Sequence, residues 1–148
     1  MALWQQWSLL SWRDRGLLME AVVFLALARG AVCTVPFKAI VPYLRRTTPV
    51  KTEAVEHEWV EEARRVGWAV RAVASRTVWD SNCLAQAIAG RIMLRRRGIP
   101  SAVYLGAAKM DDVPGPLAAH AWLRCATGTI TGAAGQERFT IIAIFGDK

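Results

Sequence analysis

An α+β fold is expected for this chain, and three observations predict it. Apolar residues follow helical spacing through the N-terminal part, which closes at Gly98. Beyond Gly98 the period shortens, in brief apolar runs separated by turn residues. Within the helical part lies Trp79-Asp80-Ser81-Asn82-Cys83-Leu84-Ala85-Gln86-Ala87-Ile88-Ala89-Gly90, a loop that turns into a helix with a cysteine at its entrance. The expected organisation is an N-terminal helical region at 1–48 and a core at 52–148. In that core the helix carrying Cys83 packs on a small antiparallel sheet.

The elements are read in order. Residues 7–32 suit one or two amphipathic helices, with Ser11 as a cap and Asp14 as its capping-box-like acid. Leu17-Leu18-Met19 and Ala21 to Ala28 suit a helix buried on most of its circumference, with Gly30 as its stop. The apolar run 17–28 is interrupted by Glu20 and bounded by Arg29, so it is too short to span a membrane. A helix lying on a membrane or docking on a partner stays open. Pro36 and Pro42 bound a short segment from Phe37 to Tyr43, and Thr47-Thr48-Pro49-Val50 reads as a linker.

A second long helix is expected from about Thr52 to Ser75. Its N-terminal half carries Glu53, Glu56, Glu58, Glu61 and Glu62, and its C-terminal half is rich in arginine, matching the macrodipole. Val55, Trp59, Ala63, Val66 and Val70 form its apolar stripe, and His57 falls among the glutamates at an exposed position. Ser81 and Asn82 cap the helix from Cys83, which should end near Arg97 with Gly98 terminating it. Arg91, Arg95, Arg96 and Arg97 lie towards its C-terminal end and read as a solvated face. Strands are expected at 99–107, 118–125, 129–131 and 138–145. The turn at Ala126-Thr127-Gly128 and the glycine-containing bend at 132–136 make antiparallel pairing the simplest arrangement.

Composition narrows the function. With 53% apolar residues in 148, the chain can build one ordinary core. Its three cysteines, Cys33, Cys83 and Cys125, are far apart and odd in number, and there are only two histidines. That pattern argues against a zinc site or a disulfide framework and fits a reducing compartment. The net charge of +7 would suit an acidic partner. The basic residues are spread along the chain, however, and no nucleic-acid motif occurs, so a solubilising charge is the simpler reading. No secretory signal is convincing, and neither metal nor cofactor is expected.

Two residues carry the chemistry. Cys83 in a first helical turn faces unsatisfied backbone N–H groups and the positive end of the dipole, which favours a nucleophilic thiolate. The bland alternative is a small buried hydrophobe. His120 sits on a strand in Ala118-Ala119-His120-Ala121-Trp122-Leu123. A thiol nucleophile needs a base within hydrogen-bond reach, and the base needs a group that orients its ring. A cysteine opening a helix, followed by a strand histidine, fits papain-like and transglutaminase-like cysteine chemistry.

At these residues the chain resembles a known family. Asn82-Cys83-Leu84, Leu94-Arg95-Arg96-Arg97-Gly98-Ile99-Pro100, Tyr104-Leu105-Gly106, His120-Ala121-Trp122-Leu123, Ile130-Thr131-Gly132 and the run from Phe139 to Gly146 together look like the transglutaminase-like leader peptidases of lasso-peptide biosynthesis. The N-terminal stretch from Asp14-Arg15 to Pro36-Phe37 is similar to that family's helical region. The resemblance implies a cytoplasmic cysteine protease without cofactor that removes the leader from a ribosomally made lasso precursor. Its partners would be a small leader-binding protein and an ATP-dependent macrolactam cyclase, with no nucleic acid and no expected membrane contact. It also implies Cys83 as nucleophile and His120 as general base.

One departure stands out. The family commonly carries an acid about a dozen residues after the histidine, where this chain has Thr131-Gly132-Ala133. Glu137 is the residue chosen to orient His120. Gln136, Thr131, a backbone carbonyl, Asp80 and the Asp111-Asp112 loop remain alternatives. The Cys83 N–H would serve an oxyanion hole, with Asn82 as a second donor or simply an N-cap. Gln86, one turn on, and Trp122 are candidate substrate contacts. Two other readings stay open: an inactive precursor-binding scaffold, and a membrane-surface or acidic-partner protein using the Trp-rich N-terminal region. An amine replacing water as acyl acceptor would use the same thioester chemistry.

Overall fold

The computed structural model describes residues 3–48, 56–76, 82–109 and 118–147. Helices come first: α1 (Leu3–Leu9), α2 (Trp12–Thr34), α3 (Phe37–Leu44), α4 (Glu56–Ala74) and α5 (Cys83–Arg96). The strands follow: β1 (Ser101–Ala108), β2 (Ala118–Cys125), β3 (Gly128–Thr131) and β4 (Thr140–Gly146), with a 3-10 turn at Gln136–Arg138. The strands form one antiparallel sheet in the order β3-β2-β1-β4. This is the expected α+β architecture.

Local chemistry explains most boundaries. Ser11 caps α2: its Oγ accepts from the Asp14 N–H at 3.1 Å and donates to the Asp14 carboxylate at 2.7 Å. Gly30 does not stop this helix. Extended backbone at Val35, imposed by Pro36, ends it instead. The segment between the prolines is itself a helix that includes Pro42. The helix from Cys83 ends in a full Schellman turn: Gly98 takes φ 71°, its N–H bonds Arg95 O at 3.0 Å, and the Ile99 N–H bonds Leu94 O at 3.0 Å. Of the expected α4 stripe, Ala63, Val66 and Val70 are fully buried and Trp59 packs against the core. Val55 and the His57 side chain lie outside the described residues.

α5 is the central element. One side packs on β1, β2 and β3, and the other is covered by α2 and α4. Small residues permit this double burial. A Cβ at Gly90 would stand 2.7 Å from Leu123 Cδ2, so glycine sets how closely α5 approaches β2. Leu17, Ala21, Leu25 and Ala28 of α2 belong to the same core cluster as Ala63, Val66 and Val70 of α4 and Ile88, Met93 and Leu94 of α5. The N-terminal helical region and the core therefore share one hydrophobic interior.

The arginines at the end of α5 do not form a solvated face. Arg91 is 3% exposed. Its guanidinium donates to Arg46 O at 2.5 Å, to Ser101 O, and to the Asp147 carboxylate at 3.5 Å. Asp147 in turn accepts from the Thr48 N–H at 2.9 Å, the Thr48 hydroxyl at 2.5 Å and the Ser101 N–H at 3.2 Å. Arg97 bonds Glu20 of α2 at 2.6 and 2.9 Å and Glu62 of α4 at 2.8 Å. The expected solvated character holds for Arg96, which is 62% exposed, but packing turned Arg91 and Arg97 inward, where each ties separate segments together.

Burial alone would raise the Asp147 carboxyl. The hydrogen bonds from Thr48 and Ser101 and the charge of Arg91 outweigh it and hold the group below the usual carboxylate range. A depressed carboxyl stabilises the fold above its unfolded-state value, near 3.9, and that stabilisation fades as pH falls through the folded value. Asp147→Asn should therefore be less stable than wild type at pH 7, and should lose less between about pH 5 and about pH 2. Arg91→Ala leaves buried acceptors and a carboxylate unpaired, and should cost about 3–5 kcal/mol. Thermal or urea denaturation followed across pH reads both effects.

Candidate active site

The helix entrance is built as the sequence indicated. Asn82 has extended backbone, and its Oδ1 accepts from the Ala85 N–H at 2.8 Å. The Gln86 N–H then closes the first turn on Asn82 O at 3.1 Å. A cap of this kind contributes about 1 kcal/mol, and it spends the Asn82 carbonyl oxygen on the helix. Cys83 is the first helical residue and is half-buried against the core. Its own backbone N–H lies ahead of the intrahelical ladder, the position an oxyanion donor needs. Gln86 is half-buried one turn along.

His120 lies in β2 opposite Gly106 of β1. Two aromatics flank its ring: Trp122, centroids 5.8 Å apart, and Phe139, 5.0 Å apart. Trp122 stacks in turn on Tyr104 at 5.9 Å and is only 3% exposed. Gly106 makes room for this packing, since a Cβ there would stand 2.7 Å from Phe139 Cβ and 2.8 Å from Trp122 Cζ3. Trp122, a candidate substrate contact in the sequence, is buried with its ring packed against His120 and Tyr104, and Phe139 packs on the histidine ring from Gly106's side. A lone glycine inside a strand pattern was the available signal for such a close approach.

The group facing the ring is a backbone carbonyl. His120 Nε2 lies 2.7 Å from Gly132 O. A carbonyl can only accept, so Nε2–H donates to it, and in the neutral ring Nδ1 is then the nitrogen with the lone pair. Glu137, the residue expected to orient the ring, is instead exposed in the 3-10 turn. Gln136 accepts a hydrogen bond from Thr129 at 3.2 Å, and the Thr131 hydroxyl is buried without a partner. Asp80, Asp111 and Asp112 lie outside the described residues.

Gly132 explains why no acid stands at this position. It has φ 75°, and a Cβ would fall 2.5 Å from Ala121 O and 2.9 Å from Trp122 Cβ. Both the backbone region and the space exclude a side chain. The chain turns tightly after β3 and aims the Gly132 carbonyl where a carboxylate would otherwise sit. The carbonyl orients the ring but brings no counter-charge.

Cys83 and His120 share one end of the α5–sheet layer. α5 has 14 residues and so rises about 20 Å. The chain then reverses at the Schellman turn and runs back along β1, covering roughly 17 Å from Ser101 to Gly106, the partner of His120. The pleat puts the two on different sides of the sheet. Ala121 and Leu123 face α5 and the core, while His120 and Trp122 face away. Among the described residues, no hydrogen bond joins the Cys83 thiol to the His120 ring. No group of three or more potential metal ligands occurs among the described residues.

The carbonyl-oriented ring leads to two expectations. Long-range nitrogen–proton NMR of the His120 imidazole should show the Nε2-protonated tautomer at neutral pH. Gly132→Ala should destabilise the fold by about 1–3 kcal/mol and disturb that tautomer signature. Gly132→Asp should be no better, although it supplies the acid the family commonly carries.

The comparisons agree with this geometry. A model of the transglutaminase-like superfamily matches residues 31–143, well over half of the chain and inclusive of α3, α4, α5, Cys83, His120 and Gly132. No curated protein and no solved structure matches. With a cysteine opening the central helix, a histidine on the adjoining antiparallel sheet and this match across both, the chain belongs to the transglutaminase-like superfamily.

Proposed function

We propose that the protein is a cysteine peptidase that removes the leader from a ribosomally made lasso-peptide precursor, with Cys83 as nucleophile and His120 as base. The observation that carries the catalytic part is the His120–Gly132 O bond, which makes Nδ1 the basic nitrogen of the neutral ring, at the same end of the layer as the capped Cys83. The leader-peptide part rests on the motif resemblance of the Cys83 and His120 blocks.

His120 Nδ1 takes the Cys83 proton, and the sulfur attacks the scissile carbonyl carbon. The oxyanion that forms is met by the Cys83 N–H at the helix entrance. The tetrahedral adduct collapses, the C–N bond breaks, and the leaving amine takes its proton from His120. A thioester remains. Water then gives a proton to Nδ1 and attacks the thioester carbon, releasing the leader carboxylate and the thiol. The thiol and imidazole have to meet over the end of the sheet, around the strand termini that separate them. A small leader-binding protein would deliver the precursor, an ATP-dependent cyclase would consume the freed core, and the reaction would run in the cytoplasm.

A second reading is favoured by one specific observation. Cys83 and His120 lie on different sides of the sheet with no hydrogen bond between them, as in a precursor-binding scaffold that has lost its chemistry. Rapid, selective alkylation of Cys83 by iodoacetamide at neutral pH, over Cys33 and Cys125, would count against that scaffold.

Cleavage of a matched precursor in the presence of its leader-binding protein tests the first reading. Cys83→Ala should abolish cleavage at an unchanged melting transition, and His120→Ala should lower cleavage by about 10³-fold or more. Glu137→Gln should stay within about twofold of wild type, since a group without contact to the ring contributes nothing to its orientation. Cleavage surviving Cys83→Ala would overturn the reading.

A further inference from the structure

The outer face of α2 is an uncharged apolar strip on an otherwise basic region. After Arg13, the exposed positions of this helix are Gly16, Met19, Val22, Val23, Ala26, Leu27, Gly30, Cys33 and Thr34, all at helical spacing and none charged. Met19 is 56% exposed, Val23 51% and Leu27 61%. From Gly16 to Thr34 the strip runs for about 27 Å. At its head stands Trp12, 83% exposed, with the Arg15 guanidinium 4.9 Å from its ring centroid. A contiguous apolar strip of this length marks an interaction surface.

The surrounding charge indicates what covers it. Residues 1–48 contain six basic side chains (Arg13, Arg15, Arg29, Lys38, Arg45 and Arg46) against only two acids, Asp14 and Glu20. Both acids are paired with arginines, Asp14 with Arg65 at 2.6 Å and Glu20 with Arg97 at 2.6 Å. What this region offers outward is therefore apolar, aromatic and positive. We infer that α2 is a membrane-surface anchor: the protein docks on anionic lipid with the Trp12–Leu27 face in the headgroup boundary and the basic side chains among the lipid phosphates.

The helix lies on the bilayer and does not cross it. By length and composition its 23 residues could span, a longer helix than the apolar run at 17–28 suggested. But Leu17, Ala21, Leu25 and Ala28 on its opposite face are buried in the protein core, and Glu20 is held by Arg97. Insertion across a bilayer would strip the core of that face and take an ion pair apart. Docking by the outer face leaves both intact.

Flotation of the full chain with vesicles tests this. The protein should float with phosphatidylcholine vesicles containing anionic phosphatidylglycerol, and not with phosphatidylcholine alone, and high salt should reduce the bound fraction. Val23→Glu with Leu27→Glu should cut partitioning roughly tenfold or more at an unchanged melting temperature. A second measurement does not depend on that variant: brominated anionic lipid should quench wild-type tryptophan fluorescence more than that of Trp12→Phe. Absence of flotation with anionic vesicles would overturn the inference. So would a dimer in light scattering that the double glutamate variant dissolves, because the strip would then be covered by a second copy.

Discussion

The buried guanidinium of Arg91 is the contact on which the rest of the arrangement depends. From the middle of α5 it reaches the chain leaving α3 at Arg46, the first residue of β1 at Ser101, and the carboxylate that follows β4 at Asp147. Segments far apart in sequence are thereby fixed to one helix. A charge buried to this degree is costly unless every donor is met. Here Arg46 O, Ser101 O and Asp147 meet it, and Asp147 is itself satisfied by Thr48 and Ser101. Because α5 is clamped to the sheet at this point and stacked on β2 through Gly90, the opposite end of the helix, where Cys83 lies, has a defined height against β2.

Arg97 performs the corresponding task on the helical side. Its fork joins Glu20 of α2 and Glu62 of α4 at the point where α5 gives way to the Schellman turn. Arg65 extends the network to Asp14 and Glu62. The consequence reaches the surface: both acids of the N-terminal region are paired with arginines, so the outward character of α2 is set by its apolar and basic residues. Packing and surface chemistry are thus two results of the same set of ion pairs.

At the other end of the layer, backbone geometry orients the histidine ring. A positive-φ glycine pressed against Ala121 O and Trp122 cannot carry a carboxylate, but its carbonyl can hold the histidine tautomer. Trp122, Phe139 and the side-chain-free Gly106 confine the ring from the sides. An acid provides orientation and charge stabilisation together, and the Gly132 carbonyl supplies orientation alone.

The sequence by itself determined the local features. Helical spacing and caps located α2, α4 and α5; Asn82 before Cys83 and Gly98 after Arg97 marked the ends of the central helix; turn residues separated the strands. These depend on neighbours within a few positions, so they are legible in one dimension. Some local signals misled: Gly30 looked like a stop, yet the helix runs on to Thr34, because only Pro36 removes the backbone options that let the helix continue. The arginine cluster, the partner of His120 and the side of the sheet that His120 faces were decided only in three dimensions. Arg91 looks like its neighbours until Asp147, 56 residues away, comes to meet it. Glu137 was the first acid after His120 in sequence, but a hydrogen bond selects by position and angle, and the tight turn after β3 put the Gly132 carbonyl there first. A carbonyl belongs to every residue and leaves no mark in a sequence, so that choice could be made only by the tertiary structure.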